Sequence, residues 1–370
     1  MPSSQTGARH VEVQARLIFR GYSGSFETPA ADLGSVFPEL EYVAKLDQAG
    51  REEFLRYADM HHVTVRVLRV LRSAAEGASN VDLRDWCDQA LKSETLRIER
   101  ALSFLLPICA GLDRAGCKTT VIKSLDHWPD LGSDLDLYTS GAQQNVIRVM
   151  TSEFKAEMES RSWGDRLANK WNFAVPGLPE LIEIHVQYLG QTGEQRAMAK
   201  RVVERSMMRT LDGNAFRVPA PEERVVISTL QRMYRHFYFR LCDMADFAAL
   251  LQAGAINFNE LRRAAAEGGI WPGVATFLFL VSKFVEQHGG HAPLPEDIAR
   301  AAYSPDIRVY FKDNFLRVPK LPAAGLYGSQ LLCAGLHRDL RAMVRLPLLP
   351  PLAMSALVAY RLTGSDKGVW

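Results

Sequence analysis

The stretch from Thr119 to Thr139 constrains this chain more than any other. It opens with the run Thr119-Thr120-Val121-Ile122 and turns at Lys123-Ser124. A segment containing Pro129 and Gly132 then leads back to strand pattern at Asp134-Leu135-Asp136-Leu137. Alternation with a period of two sends Asp134 and Asp136 to one face and both leucines into a core. Two carboxylates side by side repel each other, and a divalent cation, basic neighbours or full solvation must compensate. Only the cation turns the pair into a reactive site.

A third acid follows on a later strand. In Leu181-Ile182-Glu183-Ile184-His185-Val186 the alternation buries Ile182, Ile184 and Val186 and turns Glu183 and His185 to the opposite face.

These residues resemble the nucleotidyltransferase superfamily, whose pattern is an apolar residue, Gly, then Gly or Ser, and further on Asp-x-Asp. Ser124 fits the second small position, Asp134 and Asp136 fit the acids, and Lys123 stands where the superfamily has its glycine. The resemblance is closer to the uncharacterised nucleotidyltransferase subgroup, in which a strand ending in Lys-Gly precedes the acids. Val121-Ile122-Lys123-Ser124 follows that form with Ser for Gly, and Glu183-Ile184-His185 matches the subgroup's acid-apolar-His triplet. The helix-to-strand junction Leu112–Cys117 and the later pair His236 and Asp246 also match, so the resemblance spans residues 50–270.

The resemblance implies metal-dependent transfer of a nucleoside monophosphate from an NTP to an acceptor hydroxyl, with release of pyrophosphate. Asp134, Asp136 and Glu183 would be the catalytic and metal-binding acids for Mg²⁺ or Mn²⁺. Glu183 would also help deprotonate the acceptor. Lys123, Ser124 and Ser133 would contact the nucleotide, and His185, Lys170, Arg235 and His236 the acceptor or its phosphates. Replacement of the turn glycine by Lys123 favours an alternative, a nucleotidyltransferase-like binding or scaffold protein without turnover. A helical interaction protein with surface acids is the remaining reading, against which the strand-turn-strand context argues.

The chain has 370 residues, enough for two or three domains, and 47% are hydrophobic. With 44 basic and 42 acidic residues the net charge is +2, which disfavours a strongly basic nucleic-acid binder. A small-molecule acceptor is therefore favoured over tRNA or protein. Cys87, Cys109, Cys117, Cys242 and Cys333 show no paired spacing, so neither a disulfide framework nor a zinc cluster is expected, and a reducing cytoplasm suits the chain.

The expected fold class is mixed α/β, a small sheet core at 118–215 between an N-terminal helical region at 36–117 and a C-terminal helical domain at 216–370. The polar residues 1–35 read as a disordered tail without a secretory signal. Phe54, Leu55, Ala58, Val63, Val67, Leu68 and Leu71 recur at helical intervals. His61 and His62 fall inside that stretch, about 100° apart on a helix, cannot chelate together as an i, i+4 pair would, and read as helix residues with no metal role. Leu91 to Leu112 predicts another helix, kinked at Pro107, and 142–158 a third. Arg161, Arg166 and Lys170 lie in a polar segment read as a solvated loop.

Val226, Leu230, Met233, Phe237, Leu241, Met244, Ala248 and Leu251 step by threes and fours and predict one long helix with Arg232, Arg235, His236 and Arg240 on its polar side. Segment 346–362 is apolar but broken by Pro347, Pro350 and Pro351. It is expected to dock on the helical domain rather than span a membrane, with peripheral membrane or partner contact as the alternative.

Overall fold

A computed structural model of the chain describes residues 2–22, 26, 28–30, 33–304 and 306–363. The chain begins with helix α1, Pro2–Gly21, so the expectation of a disordered tail is corrected there. Val11, Val13, Ala15, Leu17, Ile18 and Phe19 are buried, and Gln14 donates from Nε2 to the Phe54 carbonyl at 2.7 Å. The first ten residues concealed this by their polarity; the helix is held by partners remote in sequence rather than by its own propensity. Residues 1, 23–25, 27, 31 and 32 of the expected tail lie outside the described residues.

Helices α2 (Phe37–Ala44), α3 (Gln48–Met60) and α4 (Thr64–Gly77) follow, divided by the turn His61-His62-Val63. Asn80 caps the next helix by accepting from the Leu83 N–H at 3.1 Å. That helix, α5 (Val81–Arg114), continues through Pro107 and buries Ile98, Leu102, Leu105 and Leu112 against the sheet.

The sheet contains β1 (Thr119–Val121), β2 (Asp134–Thr139), β3 (Glu157–Met158), β4 (Lys170–Ala174) and β5 (Leu181–Val186). Its order is β1-β2-β5-β4-β3, with β2 and β5 parallel and the other pairs antiparallel. The fold is thus mixed α/β with helical regions on both chain sides of the sheet. Helix α6 (Gln143–Ser152) joins β2 towards β3 and ends earlier than the predicted 142–158, because residues 157 and 158 enter the sheet. Leu135, Leu137, Ile182 and Ile184 are fully buried, as the alternation requires. Register then sets Asp136 directly beside Glu183, with Asp134 two residues away on the same face.

The predicted loop before β4 holds a short helix, α7 (Trp163–Ala168), closed by a capping box between Ser162 and Asp165. Beyond the sheet come α8 (Arg196–Glu204) and the hairpin of β6 (Ser206–Leu211) and β7 (Asn214–Pro219).

The single long helix expected at 226–251 is two helices. Helix α9 (Pro221–Thr229) passes into a π-helical segment, Leu230–His236, and stops at Phe237, whose φ is +55°. A short strand β8 (Tyr238–Phe239) and then α10 (Leu241–Gln252) complete the stretch. The apolar stepping was continuous, but Tyr238 stacks on Phe315 with ring centroids 4.2 Å apart, and β8 pairs with 315–317. A partner far along the chain outcompetes continued helix.

Helices α11 (Phe258–Glu267) and α12 (Trp271–Gln287) pack behind α9 and α10. One hydrophobic core runs through α1, α3 and α4 and on through α9, α10 and α12. The N-terminal and C-terminal helical regions, expected as separate, therefore share a core, while a second core lies between the sheet, α5 and α6.

Near the C-terminus, Leu346 and Leu349 are buried, and Arg341 donates from Nε to the Gly193 carbonyl at 2.7 Å. Arg345 bonds the carbonyls of Leu167 and Thr192. Leu346 and Leu349 pack with Ala334 and Ala342, and the Tyr327 hydroxyl donates to the Leu346 carbonyl at 2.8 Å, so the start of segment 346–362 docks on the helical region, while Met354, Val358 and Leu362 stay exposed. Among the described residues no helix is long and apolar enough to cross a membrane.

Candidate functional site

Lys123 sits in a γ-turn. Its φ is 60° and ψ −62°, and the Ser124 N–H donates to the Ile122 carbonyl across it at 2.6 Å. Such backbone suits glycine, which explains why a glycine would be at ease here and makes Lys123 a strained exception. The turn aims the lysine side chain along the sheet face. Its ammonium pairs with Asp136 and lies 3.6 Å from Glu183 Oε1.

Glu183 is held on every side. His185 Nε2 is 2.8 Å from its Oε1, and Lys170 Nζ is 3.0 Å from its Oε2 and 2.8 Å from Asp165. Burial alone would raise this carboxyl, yet Lys123, Lys170 and the His185 bond outweigh it and hold Glu183 well below the usual carboxylate range. Lys170 is raised despite its burial because Glu183 and Asp165 favour its charged form. Lys170 is thus a counter-charge inside the protein, not the phosphate contact expected of it.

Asp134 differs from its neighbours. It is the most exposed of the three acids and makes no ion pair among the described residues. Burial at the cavity wall and the charges of Asp136 and Glu183 push its carboxyl up to about 6. Of the three compensations open to paired acids, basic neighbours serve Asp136 and Glu183, and Asp134 is left in excess.

Ser124 has a structural part in the turn as well. Its hydroxyl accepts from the Asp136 N–H at 2.7 Å and donates to the Asp134 carbonyl at 3.1 Å, and the residue is buried. It ties the turn to β2 and positions the acids, and the residue also lines the cavity that the acids face. Ser133, by contrast, is exposed on the cavity rim.

The acids form one wall of a cavity of about 200 Å³. The opposite wall comes from the π-helical segment and the turn after it, which present Gln231, Arg235, His236 and Arg240. Arg235 and Arg240 have no acidic partner among the described residues. Arg232 is instead spent on Asp243, at 2.8 Å and buried. Burial, then Arg235, Arg232 and Arg240, hold His236 well below the ordinary histidine range, so it stands neutral in the cavity. Arg161 lies over Trp171 at 3.9 Å and Arg166 near Trp163, away from this cavity.

A second, smaller cavity of about 50 Å³ adjoins the first and shares Lys123, Gln231 and Arg235 with it. Gln191 and Gln330 line it, each with buried amide atoms lacking a hydrogen-bond partner. Neither glutamine stood out in the sequence, since each is a lone polar residue outside any motif. Arg240 was grouped only with a helix face; its place in the cavity depends on the break at Phe237.

The donor set facing the first cavity consists of hard carboxylate oxygens, and Asp136, Glu183 and His185 offer ligand atoms within 4.8 Å of one another. Among the described residues this group could hold a metal ion, and Asp134 lies outside it. No family model, no curated protein and no solved structure matches this chain.

Proposed function

We propose that this chain transfers a nucleoside monophosphate from an NTP to the hydroxyl of a small polar acceptor. One observation carries the reading: a single cavity faces three carboxylates with two guanidiniums, Arg235 and Arg240, that have no acid of their own. Half-buried guanidiniums with no acid beside them are ready partners for an anion. A metal triphosphate satisfies both walls, since its oxygens suit the arginines and its cation suits the acids.

In this reading Asp134 and Asp136 hold the cation, which when bound makes the α-phosphorus more electrophilic and offsets charge on the leaving pyrophosphate. Lys123 supplies a second positive charge between Asp136 and Glu183. Arg235 and Arg240 bind the β and γ phosphates and steady the pyrophosphate as the bridging bond breaks. Glu183 anchors Lys123 and His185; with its oxygens engaged and its carboxyl held ionised it is poorly matched to the base role expected of it. The amides of Gln191 and Gln330 would receive the acceptor in the adjoining cavity.

A second reading has a specific support. The Lys123 ammonium already neutralises Asp136 and Glu183, as in a protein that binds nucleotide without turnover. Incubation with α-labelled NTPs, Mg²⁺ or Mn²⁺ and fractionated small molecules, RNA and protein tests both. Label entering the small-molecule fraction, and lost in Asp134→Ala plus Asp136→Ala, supports transfer. Metal-dependent NTP binding with no label transferred supports the second reading, and no NTP binding overturns both.

A further inference from the structure

Behind the cavity wall three residues from separate parts of the chain converge. His62 follows α3, His127 lies in the short 3-10 turn Ser124–His127, and Cys242 is in the first turn of α10. All three are buried, and one ligand atom from each lies within 4.8 Å of the others. We propose that His62, His127 and Cys242 form a site for a borderline-soft divalent cation, Zn²⁺ in the first instance, distinct from the carboxylate site.

The distances suit the ion. His127 Nε2 is 3.9 Å from Cys242 Sγ. Tetrahedral Zn²⁺, with Zn–N of about 2.0 Å and Zn–S of about 2.3 Å, sets such a pair about 3.5 Å apart. The ligand chemistry agrees, because two imidazoles and a thiolate select zinc over the hard cations suited to carboxylates.

The surroundings are built as for a metal-bound imidazole. His127 Nδ1 is 2.6 Å from Asp246 Oδ2, and the other Asp246 oxygen accepts from Arg66 at 2.8 Å. A carboxylate fixed on Nδ1 selects the tautomer that leaves the Nε2 lone pair free to bind a metal. Next to it, the His62 ring stands edge-on to the His127 ring with centroids 5.5 Å apart, and its Nδ1 has no hydrogen-bond partner. His62 reaches this position with φ of +53°, and its ring fills the space a side chain on Gly132 would need, since a Cβ there would come within 2.9 Å.

Its neighbour is engaged elsewhere. His61 Nδ1 accepts from the Leu241 N–H at 3.1 Å, and its Nε2 is 2.9 Å from the Asn314 carbonyl. The adjacent histidines thus do not chelate together; one is structural and the other meets partners distant in sequence. His62 and His127 also line the 200 Å³ cavity, so the fourth position of a three-ligand ion would open towards it.

The test uses the full chain without a polyhistidine tag, produced with zinc in the medium and dialysed against metal-free buffer. Elemental analysis is expected to find one zinc per chain in the wild type and in Asp134→Ala plus Asp136→Ala, and at least tenfold less in Cys242→Ala and in His62→Ala. Exchange with Co²⁺ should produce a near-ultraviolet thiolate-to-metal band in the wild type that is missing from Cys242→Ser. Circular dichroism establishes that each variant is folded. A folded wild type with neither zinc nor the Co²⁺ band overturns the proposal. So does zinc that persists in Cys242→Ala but disappears from the aspartate pair, which would move the metal to the carboxylates.

Discussion

The Lys123 ammonium pairs with Asp136 from a residue of positive φ, in the turn that follows the strand neighbouring the acid it neutralises. Strain in the turn and the charge of its side chain therefore meet at one position. Such strain costs about 1–3 kcal/mol, and it persists because the Ser124 hydroxyl and the sheet hold the turn.

Lys123→Ala should strengthen divalent-cation binding. The variant removes an internal cation that competes for Asp136 and Glu183, and a change of about 1.4 kcal/mol would be tenfold in affinity. Calorimetric titration with Mn²⁺ checks it, and affinity that is unchanged or weaker would show that the ammonium is no competitor. NTP binding by the same variant should weaken, since a positive charge is lost beside the phosphates.

The raised carboxyl of Asp134 makes its charge a cost to the folded state. Its folded pKa, about 6, lies above the 3.8 of a free aspartate, so the native state holds the proton more tightly than the unfolded chain. Stability from this group is thus present at low pH and falls as pH rises from about 4 to 6. Asp134→Asn should raise the melting temperature at pH 8 and leave it nearly unchanged at pH 4. Cation binding should follow the opposite course, tightening as pH passes 6; melting curves with and without Mn²⁺ read both effects.

Glu183→Gln removes the partner of two lysines and a histidine. Breaking a buried pair by deleting one member costs about 3–5 kcal/mol, and a value near the lower end is expected because Lys170 keeps Asp165. Urea denaturation gives the number. Lys170→Met combined with Glu183→Gln should cost less than the two single changes added together, whereas simple additivity would mean that they do not interact.

Arg235 and Arg232 lie three residues apart in the same π-helical segment and should behave oppositely. Arg235→Ala breaks no ion pair, so stability should change by about 0.5 kcal/mol or less while NTP affinity falls by about 1.5–3 kcal/mol. Arg232→Ala strands the buried Asp243 and should cost about 3 kcal/mol of stability. Urea denaturation and fluorescent-nucleotide binding separate the two outcomes; equal losses of stability would remove Arg235 from the ligand wall.

Local pattern already contained the sheet face. A period of two in Asp134–Leu137 and in Leu181–Val186 predicted which side chains are buried, and parallel register then set Asp136 beside Glu183. Asn80 and Asn257 cap the helices that follow them, each through a contact within one turn. The break at Phe237 was not legible. Apolar residues there step at helical intervals, and the stacking partner of Tyr238 is Phe315, far along the chain.

The sequence by itself determined the elements whose stabilising contacts are local: the alternating strands, the caps and the amphipathic helices. Tertiary structure alone decided which charges are used and which are left over. Lys170 and Arg232 are spent on internal acids while Arg235 and Arg240 face the cavity, and nothing in their identity or spacing separates the two sets. Pairing depends on distance in space, and distance here is set by how α9, α10 and the sheet pack. The same reason kept His62, His127 and Cys242 apart in the sequence and brought them together in the fold.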